Sequence, residues 1–163
     1  MLLSELLHAG VIKPHLEATN KTEVIEEMVD LLIEGHEITI SLRNHVIETV
    51  MERETTMSTG MENGIALPHG ATDRVTDIVA ALGTAPQGIP FDSLDGRPAR
   101  IVVLLVLPKN KFQVHVRTLA GIAHLMSNEA LRELIIDADE PEDILELIEN
   151  EETEDGFNLV GYE

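Results

Sequence analysis

Histidine is the side chain best suited to chemistry near neutral pH, and one of the seven in this sequence is set apart by its neighbours. In Gly64-Ile65-Ala66-Leu67-Pro68-His69-Gly70 a short apolar stretch meets a proline and is followed at once by an imidazole. Pro68 fixes its own φ and pushes Leu67 into an extended conformation. Ile65 to Leu67 therefore read as a strand that stops abruptly, with Gly70 letting the backbone turn straight after. His69 is expected at a strand end, beside bare backbone that another molecule can approach. His115 opens a predicted helix just after the loop that follows a buried strand. Open α/β sheets gather ligands beyond their strand ends, and helix starts offer free N–H groups to anions. Arg53 stands at the end of another predicted helix, ahead of the polar loop that leads to His69. It either complements the helix dipole or reaches an anion held at His69.

Three chemistries can use such residues. A zinc site would pair His69 and His115 with a carboxylate, but no close His-x-x-x-His or Cys spacing supports it. A hydrolytic triad calls for a nucleophile elbow, and Gly-x-Ser-x-Gly is absent. Nucleophilic histidine catalysis needs a neutral, accessible imidazole, donors for the transferred group and room for a partner; this set fits best. His8, His15, His36 and His45 have no local motif and read as structural. His124 follows His115 at a spacing that places it about 180° around a helix, so the two cannot serve one site.

The elements that must position these residues follow from hydrophobic periodicity. Residues 1–8 can start a short helix, and Val11 to Glu17, with Pro14, read as an edge strand or extended segment. Thr19 or Asn20 caps a helix with Val24, Ile25, Met28, Leu31 and Leu32 on one stripe, ended by Gly35. Ser41 caps a second, through Val46, Val50 and Met51 to about Arg53 or Glu54. Ile78 to Gly83 read as a strand, and 85–98 as turns with a brief extended piece at Ile89 to Phe91. Arg100 to Leu107 fit a strand buried on both faces. Helices are predicted over Val114–Met126, Leu131–Ala138 and Pro141–Ile148, with Glu149 to Asp155 as a solvated end. This order predicts an α/β fold, a three-layer α/β/α sandwich with a mixed sheet. It is read as one domain over 1–150, followed by an acidic tail over 151–163.

Composition narrows the function classes. The net charge of −19 argues against a nucleic-acid partner, which requires Lys and Arg clusters. Residues 129–163 hold 14 acids and one Arg, a net −13, leaving −6 for residues 1–128. Adaptation to high internal salt and an acidic tail on an ordinary protein both account for this. With no cysteine, thiolate catalysis, thiolate metal sites and disulfides are excluded. No apolar run approaches a membrane span, and Met1 to Glu5 do not begin a signal peptide; a cytoplasmic setting is compatible with both.

Taken together and in this order, Arg53-Glu54, Ser58-Thr59-Gly60, Asn63-Gly64-Ile65-Ala66-Leu67-Pro68-His69-Gly70, Gly88-Ile89-Pro90-Phe91 with Asp95-Gly96, the strand Ile101 to Leu107 and His115 closely resemble a known domain. It is the enzyme IIA domain of the fructose/mannitol type (type 2) from the bacterial phosphoenolpyruvate-dependent sugar phosphotransferase system. That family includes the nitrogen-regulatory enzyme IIA. The resemblance covers roughly residues 3–150. It implies that His69 accepts a phosphoryl group from the histidine-containing phosphocarrier protein and passes it to a cysteine of a separate enzyme IIB. It implies that His115 donates a hydrogen bond to the phosphoryl oxygens and that Arg53 neutralises their charge; no metal or cofactor is implied. Transport of a fructose-like sugar and phosphorylation-dependent regulation of target proteins are both open. One departure is Glu62, where the family commonly has glycine; a carboxylate close to a phosphohistidine would disfavour it.

Overall fold

Seven consecutive aliphatic residues cannot be covered by one layer, and Ile101 to Leu107 are buried throughout. The structure, a computed structural model, describes residues 2–154. In chain order the elements are α1 (Leu3–Leu6), β1 (Ile12–Lys13), α2 (Lys21–Glu34), α3 (Arg43–Thr56), β2 (Ile65–Ala66), β3 (His69–Thr72), β4 (Val79–Ile89), β5 (Ala99–Pro108), α4 (Phe112–Leu125), α5 (Glu129–Asp137) and α6 (Pro141–Glu154). The sheet order is β1-β4-β5-β2, with β3 also on β5. β5 runs antiparallel to β4 and parallel to β2 and β3, so the sheet is mixed. α2 and α3 pack on each other and on β3, β4 and β5, while α5 and α6 pack on each other and on β1, β4 and β5. This is the α/β/α sandwich expected from the sequence.

Local chemistry explains most boundaries. Asn20 caps α2 by accepting the Glu23 N–H at 2.9 Å, and Gly35 ends it. Asn128 caps α5 through Leu131 N–H at 3.1 Å, starting that helix at Glu129 rather than Leu131. Several expectations need correction. Ser41 does not cap α3; its hydroxyl pairs with Thr39 at 2.8 Å, and a 3₁₀ turn over Ile40–Leu42 leads into the helix. β4 extends through Ala85 to Ile89, because a register shift between Thr84 and Ile89 absorbs Pro86 without ending the strand. α6 does not stop at Ile148. It continues to Glu154, and Glu152, expected in a solvated end, is only 2% exposed. Its carboxylate accepts the N–H of Leu3 at 2.7 Å and of Ser4 at 3.3 Å, the free donors at the start of α1. The remaining residues of the expected tail, 155–163, lie outside the described residues. No described helix is long and apolar enough to cross a membrane.

Candidate functional site

β2 and β3 share one register. Ile65 pairs with Ile101 and His69 with Leu105, a constant offset across Leu67-Pro68. Pro68 lacks the N–H for one rung of the ladder, so the strand is interrupted without being diverted. The expected turn at Gly70 is therefore absent: His69 begins β3, which continues to Thr72. Gly70 has another use. A Cβ there would lie 2.8 Å from Thr49 Cγ2 and 3.2 Å from the Thr49 carbonyl carbon and the Val50 nitrogen. The missing side chain lets α3 pack directly on the β3 backbone, and this contact brings Arg53, one turn after Thr49, to the site.

His69 is half-buried. Its Nδ1 lies 2.8 Å from the Leu67 carbonyl oxygen, which can only accept. Nδ1 therefore carries the proton, and Nε2 presents a free lone pair. Burial is the largest influence on this imidazole and lowers its pKa. The Leu67 bond and Glu54 oppose that shift, while Arg53 and His115 reinforce it. Near neutral pH this favours the neutral imidazole.

His69 opens on a cavity of about 500 Å³ that is also lined by Arg53, His115, Gly70, Leu107 and Val116. The three residues singled out in the sequence thus meet, although they come from β3, α3 and α4. Arg53 lines the cavity, and its Nη1 donates to the Met57 carbonyl oxygen at 2.8 Å, capping the end of α3. His115 is not the first residue of its helix. α4 begins at Phe112, and the His115 N–H already donates to Lys111 at 3.0 Å. Its side chain is buried, and Nε2 has no hydrogen-bond partner among the described residues. Such an orphan is costly unless a ligand group satisfies it. Glu62 is exposed and lies outside this cavity. Among the described residues no three His, Asp or Glu side chains gather to hold a metal ion.

Sequence reasoning missed the rest of the α3 wall. Thr49, Glu52 and Thr56 line the cavity with Arg53, and their spacing from it (i−4, i−1 and i+3) is one helical face that could have been read outward from the arginine. It also missed Glu54, which is 4% exposed and continues the buried stripe of Val46 and Val50. The signal was a carboxylate at the next i+4 position of an apolar face. A neutral imidazole with a free Nε2, a guanidinium and a partnerless buried ring nitrogen can together receive and hold a small, anionic, electrophilic group.

Comparison with known proteins points the same way. Residues 5–151 match the family described as phosphoenolpyruvate-dependent sugar phosphotransferase system, EIIA 2. The chain is 31% identical to the fructose-specific EIIABC component of Bacillus subtilis over 91% of its own length and 23% of that protein, so it spans about a quarter of this relative. It is 26% identical to the fructose-specific EIIA component of Haloferax volcanii, covering 78% of the chain and 82% of the relative. The crystal structure of nitrogen regulatory protein IIA-Ntr from Neisseria meningitidis superposes with a TM-score of 0.81 at 26% identity, over 90% of this chain and 98% of that one. The IIA of the complex of enzyme IIAMtl with phosphorylated enzyme IIBMtl from Escherichia coli shares the fold, with a TM-score of 0.74 at 22% identity over 88% and 97%.

Proposed function

This chain belongs to the EIIA type 2 family of the phosphoenolpyruvate-dependent sugar phosphotransferase system, a family of phosphotransfer proteins, and we propose that His69 is its phosphoryl carrier. The observation that carries this reading is the Leu67–His69 hydrogen bond, which leaves Nε2 unprotonated at the cavity. The Nε2 lone pair attacks the phosphorus of the phosphorylated histidine-containing phosphocarrier protein. The donor P–N bond breaks, and its electron pair returns to the donor imidazole. In the second half-reaction a cysteine thiolate of enzyme IIB attacks the same phosphorus and His69 recovers its lone pair. This chain has no cysteine to take that role. Arg53 offsets the charge of the phosphoryl oxygens, and the unpartnered His115 Nε2, when protonated, donates to one of them. Positioning and electrostatics supply most of the catalysis in phosphoryl transfer. The fructose-specific relatives support uptake of a fructose-like sugar, with the chain working in the cytoplasm beside a membrane permease.

Incubation with phosphoenolpyruvate, enzyme I and the phosphocarrier should place an acid-labile, alkali-stable phosphate on the protein, and ³¹P NMR should locate it on Nε2. Undiminished labelling of His69→Ala would overturn the assignment. The nitrogen-regulatory protein of Neisseria, with its TM-score of 0.81, favours a second reading in which phosphorylation switches binding to a target protein. Transfer of the label onward to IIB domains supports transport. Stable retention of the label together with phosphorylation-dependent capture of a target supports regulation.

A further inference from the structure

Directly after Arg53, the Glu54 side chain turns into the protein. A carboxylate that is 4% exposed must be paired and hydrogen-bonded to persist there, and this one is. Its Oε2 lies 2.9 Å from Lys21 Nζ and accepts the Thr59 N–H at 2.9 Å, while Oε1 accepts the Thr59 hydroxyl at 2.5 Å. Lys21 is held in turn by Asp92 at 3.2 Å and lies 5.0 Å from the centre of the Phe91 ring. Thr59 is thus clamped through both its backbone and its side chain.

What Thr59 does next links this cluster to the nucleophile. Its carbonyl oxygen accepts the Leu67 N–H at 3.2 Å, and the Leu67 carbonyl oxygen accepts the His69 Nδ1–H at 2.8 Å. Three consecutive hydrogen-bonded contacts therefore run from Glu54 through Thr59 and Leu67 to the imidazole. The loop between Thr59 and Leu67 is braced along the way: Met61 N–H donates to Ile65 at 2.7 Å, and Gly60 N–H donates to the Ser58 hydroxyl at 3.0 Å.

Resting on the reading of His69 as the phosphoryl acceptor, we infer that Glu54 is a positioning residue, which selects the reactive tautomer of His69 by fixing Thr59 and, through it, the Leu67 carbonyl. Glu54 does not line the cavity onto which His69 opens. It determines where the acceptor for Nδ1–H stands, and so which ring nitrogen is free to attack.

The test is Glu54→Gln in the full chain, read by two-bond ¹⁵N–¹H NMR of the His69 ring and by the rate of phosphoryl uptake from the phosphocarrier. The parent should show one tautomer, with Nε2 unprotonated. In E54Q the tautomers should mix, and uptake should slow roughly ten- to a hundredfold, the scale of a small misplacement in an active site. Thr59→Val should shift the tautomers in the same direction, and Thr59→Ser should restore them. A folded E54Q with parental tautomer and rate overturns the inference; if E54Q does not fold, a parental tautomer in T59V overturns it. The tautomer reading needs no phosphate. If the parent takes up none on His69 while E54Q still mixes its tautomers, the positioning role stands and the phosphoryl-carrier reading fails.

Discussion

An imidazole that is to act as a nucleophile must stay unprotonated, and the surroundings of His69 favour that state. Burial, seconded by Arg53 and His115, holds its pKa below the usual value of 6.5. NMR titration of the ring should therefore give a midpoint below 6.5, and Arg53→Gln, which removes one depressing charge, should move that midpoint upward. The linkage to stability has a definite sign. A histidine with a lowered folded pKa contributes stability that is complete above 6.5 and is lost as pH falls through the folded value. At His115 the question is one of hydrogen bonding, since its Nε2 is buried and has no partner among the described residues. Replacing it with Leu removes an unsatisfied polar atom. His115→Leu should hold or raise the melting temperature, while phosphoryl uptake falls by about a hundredfold, as when one transition-state donor is removed. A fall in both would show that the ring is structural.

At the scale of elements, the site depends on how closely α3 approaches β3. Gly70→Ala would drive a methyl to within 3.2 Å of α3 backbone atoms. Overpacking of this kind costs about 1–3 kcal/mol, so urea unfolding should show that loss, and the shift of α3 should also weaken phosphoryl uptake by displacing Arg53. An unchanged unfolding midpoint would show that the contact yields freely. The same elements mark what the sequence could disclose. The α2 stripe, its Asn20 cap and the doubly buried β5 were legible because each signal is local: a period, a capping side chain or an unbroken apolar run. The convergence of Arg53, His69 and His115 was legible only through a familiar set of motifs, since their spacing along the chain does not show that three elements meet. The contact of α3 with Gly70 was not legible because a missing side chain does not show which neighbouring element packs against it. Glu54 was passed over because patterning treats a carboxylate as exposed, and its partners Lys21 and Thr59 lie on other segments.

Across the whole molecule, the charge of −19 is uneven, and the acid-rich C-terminal stretch is not simply a solvated appendage. One of its carboxylates, Glu152, is buried against the first turn of the chain and spans 149 positions to Leu3. Glu152→Gln weakens two charge-assisted bonds and should lower stability by about 1–3 kcal/mol. Its kinetics carry a further expectation. Closing a loop of 149 positions is entropically costly, and it is repaid only after the intervening chain is ordered. Stopped-flow chevrons should accordingly show E152Q unfolding faster while folding at nearly the parental rate, a φ-value near zero; slowed folding would place this contact in the nucleus. On that expectation the Glu152 clasp on α1 closes late in folding and opens early in unfolding.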